Sequence, residues 1–312
     1  MKFNEFSESV REKLQSKCVI KETVKICTVL KNNSKKLTGV IIKKNDTDLC
    51  PTIYLEDYFE EYCDGSSMES IVDEILRLSG QTHDIPYFSL EKFDNWDYMK
   101  DHIMYKLINT ERNTEFLTQV PNREFLDLSV VYFFRIDNSA GAYATTVIHN
   151  EHMKMWDATE DDLYECAIRN TERMMPGKIK CMNDVIYDIL GNDLSEDEDF
   201  KGISEDIKNG RCIDMYVATN SDNMYGAGVM LDEELLKNFA GLHGNFYILP
   251  SSIHEVILVP DDSGCEPDEL INMVRNVNET EVDAVDVLSD DIYYYDINSG
   301  KHLRLIKQSC TM

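Results

Sequence analysis

"LPSSIHEVILVP", residues 249–260, decides how the carboxyl-terminal half of the chain is read. Two apolar runs, each closed by a proline, flank the polar group Ser251, Ser252, His254 and Glu255. A proline lacks an amide donor and is tolerated where a strand ends, so the pattern predicts a β-turn-β hairpin near the centre of an antiparallel sheet. Ile248, Leu249, Val256, Ile257 and Leu258 are its expected buried residues. A strand running from 253 alternates its faces: His254, Val256 and Leu258 share one, while Ile253, Glu255, Ile257 and Val259 share the other.

The same residue types build nucleophilic sites, so a hydrolase using Ser251 or Ser252 with a histidine such as His152 is the alternative reading. A hydrolase elbow reads G-x-S-x-G, and here Pro250 and Ile253 stand in place of both glycines. On opposite strand faces His254 and Glu255 form no local dyad. A serine-containing turn beside proline satisfies free backbone groups, and that reading gives Ser251, Ser252, His254 and Glu255 a role in turn geometry or partner recognition rather than proton transfer.

Outward from this hairpin, "IDMYVAT" and "GAGVML" read as strands, Asp232–Ala240 as a helix, "NFYILP" as a strand, and the segment after Pro267 as a helix before the strands "DIYYYDI" and "HLRLI". Toward the amino terminus, Phe3, Phe6, Val10 and Leu14 recur at helical spacing. "VKICTVLKNNSKKLTGVIIKK" (24–44) predicts a hairpin turning at 31–36, with Gly39 as a candidate bulge. "PTIYLEDYFEEYCDG" opens as a strand and becomes a helix stopped at Gly65, and a capping box Ser66-x-x-Glu69 starts a helix over 67–79. "DHIMYKLIN", "FLDLSVVYFFRID" and "AYATTVIHN" read as neighbouring strands, and Thr159 followed by three acids caps a helix ending near Met175-Pro176. A further helix, "CMNDVIYDIL", stops at Gly191. Adjacent strand pairs separated by helices define an α+β fold with antiparallel sheets. The expected organisation is a lobe over 1–98 and a body over 99–312, interrupted by an acidic loop or linker at 192–211.

Of 312 residues, 43% are apolar and 10% aromatic, enough for a sizeable core. The formal net charge is −27, unevenly spread: residues 1–50 carry 11 basic against 6 acidic side chains, the remainder 20 against 52. Such a body repels nucleic-acid phosphates and lipid head groups, which argues against direct binding of either and leaves an unidentified protein as the expected partner. The acidity either keeps the chain soluble or imitates a phosphate backbone before a nucleic-acid-binding partner. No apolar run reaches the about 18 residues of a membrane helix and no signal core opens the chain, so a cytoplasmic location is expected. The nine cysteines form no C-x-x-C pair and read as reduced, mostly buried thiols.

His149 and His152, with Glu151 between them, are two candidate metal ligands at i and i+3 without a third, and the reading is that no metal binds. Asn150 is a candidate cap for the helix that follows. From Asp197 an EF-hand register fails, because Lys201 and Lys208 fall on ligand positions. Neither a P-loop nor a G-x-G-x-x-G occurs, so no cofactor is implied.

"VLKNN" (29–33), "PTIYLEDYFEEY" (51–62), "FLDLSVVY" (125–132), "NEHMKMW" (150–156), "ILPSSIHEVILVP" (248–260) and "VLSDDIYYYD" (287–296) together resemble a bacterial domain family of unknown function, spread mostly among gut anaerobes. The resemblance covers most of the chain and centres on Asn150, Glu151 and His152. A looser similarity links it to a second uncharacterised bacterial family, with a comparable strand-helix order and a Pro-Ser turn at Pro250-Ser251. These resemblances imply an α+β fold and no particular activity.

Overall fold

The structure, a computed structural model, describes residues 1–18, 22–44, 50–80, 90–137, 143–190, 214–299 and 302–308. The expected acidic segment 192–211 lies outside them.

Helix α1 (Phe3–Lys17) buries Phe6, Val10 and Leu14, the stripe its spacing predicts. Strands β1 (Glu22–Leu30) and β2 (Lys36–Lys44) pair in unbroken antiparallel register, and β3 (Ile53–Tyr54) joins the free edge of β2. Gly39 is not a bulge: it pairs with Cys27 in register, and a Cβ there would lie 2.3 Å from the Thr52 side chain. The glycine permits close approach of the segment entering β3. Helices α2 (Glu56–Cys63) and α3 (Met68–Gly80) follow; α3 is capped by Ser67, one residue later than the sequence pattern placed it, through the Ser70 amide at 3.1 Å. These elements share a core of Phe6, Val10, Leu14, Val24, Val40, Ile42, Leu55, Ile71, Val72 and Ile75.

The short helices α4 (Leu90–Phe93) and α5 (Trp96–Met99) lead into β4 (Ile103–Asn109). Helix α6 (Thr114–Leu117) then precedes β5 (Asn122–Phe125), β6 (Leu128–Asp137) and β7 (Tyr143–Val147). The long β6 pairs with β4 along one edge and with β5 then β7 along the other. The apolar run "FLDLSVVY" is therefore a hairpin rather than one strand. Leu126 takes the left-handed φ of 58°, a turn that no glycine advertises in the sequence.

Helices α7 (Asn150–Trp156) and α8 (Glu160–Met174) come next, the latter capped reciprocally by Thr159 and Asp162 as expected. Then follow β8 (Gly177–Cys181), α9 (Met182–Leu190), β9 (Tyr216–Asn220), a 3-10 turn Gly226–Leu231, α10 (Glu233–His243), β10 (Phe246–Leu249), β11 (Val256–Pro260), α11 (Pro267–Thr280), β12 (Ile292–Tyr295) and β13 (Leu303–Ile306). Six strands form one antiparallel sheet in the order β13-β12-β10-β11-β9-β8. "GAGVML", read as a strand, is that 3-10 turn instead. Its glycines pack where no side chain fits: a Cβ on Gly226 would lie 2.4 Å from the His254 carbonyl oxygen, and one on Gly228 2.9 Å from the Tyr105 ring.

The opening hairpin is present and central, with Ile248 opposite Leu258 and Leu249 opposite Ile257. Ile248, Leu249, Val256 and Leu258 are buried, while Ile257 is half-buried. One face of the six-stranded sheet (Ala218, Phe246, Ile248, Val256, Leu258, Tyr293) shares the largest core with Tyr105, Leu107, Val130, Tyr132 and Phe134 of the four-stranded sheet. Helices α7, α8 and α10, with Phe93, Trp96 and Met99, close around that core, and α11 covers the opposite face of the six-stranded sheet through Leu270, Ile271 and Val274. The fold is α+β with antiparallel sheets throughout. Among the described residues no helix is long and apolar enough to cross a membrane. Of the seven described cysteines only Cys166 is buried, so the expectation of mostly buried thiols fails.

The tip of the β1-β2 hairpin reaches across to the other sheets. Asn32 donates to the Val285 carbonyl at 2.7 Å, and Asn33 to the carbonyls of Ala284 at 2.8 Å and Val287 at 2.7 Å. The Asn33 amide donates to Asn113 Oδ1 at 2.8 Å, Asn113 returns a bond to Asn33 Oδ1 at 3.1 Å, and Ser34 donates to the Arg112 carbonyl at 2.7 Å. Asn33 and Ser34 both adopt left-handed φ, which turns their polar groups outward to these partners.

Candidate functional site

The connection 250–255 is longer than a tight turn and is fastened to the segment before β12. Ser252 bridges to Val287, and the Ile253 amide donates to the Asp286 carbonyl at 2.8 Å. Ser252 is 6% exposed, and its Oγ accepts the His254 amide at 3.0 Å. The serine thus serves the backbone, the role a Ser-rich turn predicts. The Ser251 carbonyl accepts from Leu288 at 3.4 Å. Among the described residues no hydrogen bond joins either serine hydroxyl to an imidazole.

Because β11 begins only at Val256, His254 and Glu255 lie before the strand, and the expected alternation across its two faces does not apply to them. The His254 carbonyl accepts the Thr219 hydroxyl at 2.7 Å, and its Nδ1 accepts the Tyr225 amide at 3.2 Å. With Nδ1 an acceptor, the neutral ring carries its proton on Nε2, which faces Asp286 Oδ1 at 3.4 Å. The imidazole is stacked near-parallel to the Tyr225 ring, centroids 5.7 Å apart. Tyr225 itself holds a left-handed φ of 56°, and the space beneath the His254 carbonyl admits only glycine at 226.

Ser252, His254 and Glu255 line an open cleft of about 440 Å³ with Asn223, Glu281, Val282, Asp283 and Asp286. Four carboxylates converge there. Asp283 is engaged by Lys35 at 3.3 Å, an exposed pair. The remaining carboxylates face water beside an imidazole, which suits hydrogen bonding and charge pairing with an incoming cation.

Asn150, Glu151 and His152 stand elsewhere, at the start of α7, with neighbours of their own. His152 Nδ1 accepts the His149 amide at 3.1 Å, and its ring packs edge-on against Phe93 at 5.0 Å and beside Trp156 at 5.7 Å. Burial, with repulsion from His149 adding to it, lowers the pKa of His152. Asn150 is not the cap: His149 occupies the N-cap position, and Asn150 instead donates from its side chain to Thr118 O and from its amide to Gln119 O, both at 3.0 Å. Glu151 is exposed. The rings of His149 and His152 lie 5.7 Å apart and perpendicular, with one nitrogen already used for the backbone. Among the described residues no three His, Cys, Asp or Glu side chains gather as a metal would require.

Sequence reasoning missed Asp286, Tyr225, Lys106 and Lys31. Asp286 reaches His254 only because the hydrogen bonds of Ser252 and Ile253 fold the 281–288 segment onto the turn. Lys106 does leave a trace, a lysine inside the strand "HIMYKLIN" where period-two alternation places it beside Met104 and Ile108.

Fold and site together define an α+β protein of antiparallel sheets whose central hairpin opens onto a carboxylate-lined cleft beside a histidine. The chain belongs to the Family of unknown function (DUF5688), whose family model matches residues 3–297. No curated protein and no solved structure matches it.

Proposed function

We propose that this is a non-catalytic binding protein whose cleft at 252–255 and 281–286 recognises a basic segment of a protein partner. The observation that carries the reading is the convergence of Glu255, Glu281, Asp283 and Asp286 on one turn, with no Lys or Arg among the residues lining the cleft. An arginine or lysine side chain entering it meets a lining that carries four carboxylates, and the net charge of −27 draws a cationic surface toward it from a distance. The same acidity extends the reading to partners that ordinarily bind nucleic acid, for which the body imitates a phosphate surface. The hydrolase alternative draws no support from the geometry, because the Ser252 hydroxyl is spent on a backbone amide and His254 directs its two nitrogens to Tyr225 and Asp286.

The test is capture from lysate by wild type and by a Glu255→Gln/Asp286→Asn double variant, followed by titration of the recovered partner. Loss of at least about tenfold in affinity in the double variant, with strong salt dependence in wild type, is the expected result. Partners retained equally by both proteins would overturn the assignment of the cleft, and a recovered set without basic proteins would overturn the mimicry.

A further inference from the structure

Strand β4 presents Ile103, Tyr105 and Leu107 to the shared core and Met104, Lys106 and Ile108 to the other face of its sheet, where Lys106 lies opposite Val131. Lys106 is 8% exposed. Its ammonium sits 4.4 Å from the centroid of the Tyr225 ring, and among the described residues no hydrogen bond or ion pair engages it. The charges acting on it are Lys31, which repels it, and Asp286, which attracts it without forming an ion pair and faces His254 at 3.4 Å. Burial first and Lys31 second bring this ammonium down to about 8, against an ordinary value of 10.5.

An ammonium buried without a counter-ion is costly, and a tyrosine face offsets only part of that cost. The protein does not lack carboxylates to supply. Of its 58 acids, several pair with far more exposed cations: Glu69 with Lys13 and Asp73 with Lys17, both at 2.5 Å, and Asp188 with Lys180 at 2.8 Å. Lys31 repeats the pattern of Lys106. Its ammonium lies 4.3 Å over the Tyr54 ring, has no ion pair among the described residues, and exerts its field on both Lys106 and Tyr225. The docked tip of the β1-β2 hairpin holds it there, through the bonds of Asn32, Asn33 and Ser34. Two cations from sequence-distant segments, Lys106 within β4 and Lys31 just after β1, both pack on aromatic faces, and neither has an ion pair among the described residues.

We propose that Lys106, together with Lys31 of the docked hairpin tip, is the binding site for the oxyanion group of a small anionic molecule, a carboxylate or a phosphate, which supplies the counter-ion the fold withholds. Tyr225 forms one wall, since the Lys106 ammonium lies over its ring. This site is separate from the proposed recognition of a basic partner and stands or falls independently of it, since neither lysine lines the cleft.

The experiment titrates the full chain with inorganic phosphate and, separately, with succinate, at fixed ionic strength set by chloride. Binding is read by calorimetry and by the ε-carbon resonances of 13C-labelled lysine. Wild type is expected to bind at least one probe with a selective shift of a resonance absent from Lys106→Met, and both Lys106→Met and Lys31→Gln are expected to weaken that binding by about tenfold or more. Response to phosphate alone or to succinate alone assigns the anion class, and response to both supports the shared oxyanion chemistry. Lys106→Met removes a buried charge with an unbranched side chain of similar length, so it is expected to fold with a raised melting temperature. Should it not fold, the resonance shift in wild type and the loss in Lys31→Gln decide the matter. A wild type that responds to neither probe, or binding that persists undiminished in the folded variants, overturns the proposal.

Discussion

Two histidines of this chain meet opposite fates. His152 packs against Phe93 and Trp156, and its Nδ1 accepts the amide that opens α7. His254 is also tied to a backbone amide, yet its second nitrogen faces Asp286 at the edge of a cleft lined by four carboxylates. The difference shows what encloses one chemically capable residue in the fold and leaves another at the rim of a cleft. At α7 the His152 Nδ1 accepts the His149 amide and Asn150 donates to Thr118 and Gln119, so the histidine completes a helix start. At the turn Ser252 and Thr219 meet backbone demands, Gly226 leaves room for the His254 carbonyl, and His254 sets its ring between the Tyr225 amide and the Asp286 carboxylate at the rim of the cleft.

The contrast can be broken most forcefully at Gly226. A Cβ there would approach the His254 carbonyl oxygen at 2.4 Å and the Asn220 amide at 2.9 Å, both backbone atoms that cannot swing aside. Gly226→Ala is expected to destabilise the protein by about 3 kcal/mol in urea denaturation and to displace His254. A loss below about 1 kcal/mol would show that the turn yields, and that His254 is not fixed by its backbone.

His152→Leu comes next. It removes the acceptor for the His149 amide and the edge-on ring contact with Phe93, an expected cost of about 2 kcal/mol at pH 7.5 with partner capture unchanged. The folded-state pKa of His152 is lowered, so the folded protein resists a proton that the unfolded chain accepts. Wild type should therefore lose stability as pH falls below the unfolded value of about 6.5, and the gap between wild type and His152→Leu should narrow between pH 7.5 and 5.5. A gap independent of pH, or a loss of partner, would erase the distinction between the two histidines.

The smallest effects are expected within the turn. Ser252→Ala leaves the His254 amide without its acceptor and should cost about 1 kcal/mol, whereas Ser251→Ala should cost less than about 0.5 kcal/mol. Thermal melts of the two variants side by side would sharpen the assignment of the turn's anchor. Equal losses would move it from Ser252 to the pair.

Much of the fold was legible along the chain. Proline-bounded apolar runs predicted the central hairpin, Thr159 followed by acids predicted the cap of α8, and the spacing of Phe6, Val10 and Leu14 predicted the buried face of α1. Two misreadings turn on glycine: Gly39, read as a bulge, serves close approach in an unbroken register, and "GAGVML", read as a strand, is a 3-10 turn whose glycines pack where no side chain fits. The Leu126 turn escaped notice because its left-handed backbone is sustained by the register of β5 on β6 rather than by a permissive residue.

The site divides along the same line. Ser252, His254 and Glu255 were legible as a polar break between apolar runs, since a hairpin turn is a local event with a local sequence signature. Asp286 entered the cleft, and the hairpin tip that carries Lys31 docked beside Val285, only through contacts between segments far apart in the chain. Sequence by itself determined the elements, their caps and the polarity of the turn, because propensity, alternation and capping act over a few residues. Tertiary structure alone decided which charges face one another and which are left without a partner, because Coulomb interactions and desolvation depend on distance in space and burial, and neither is written in the order of the residues.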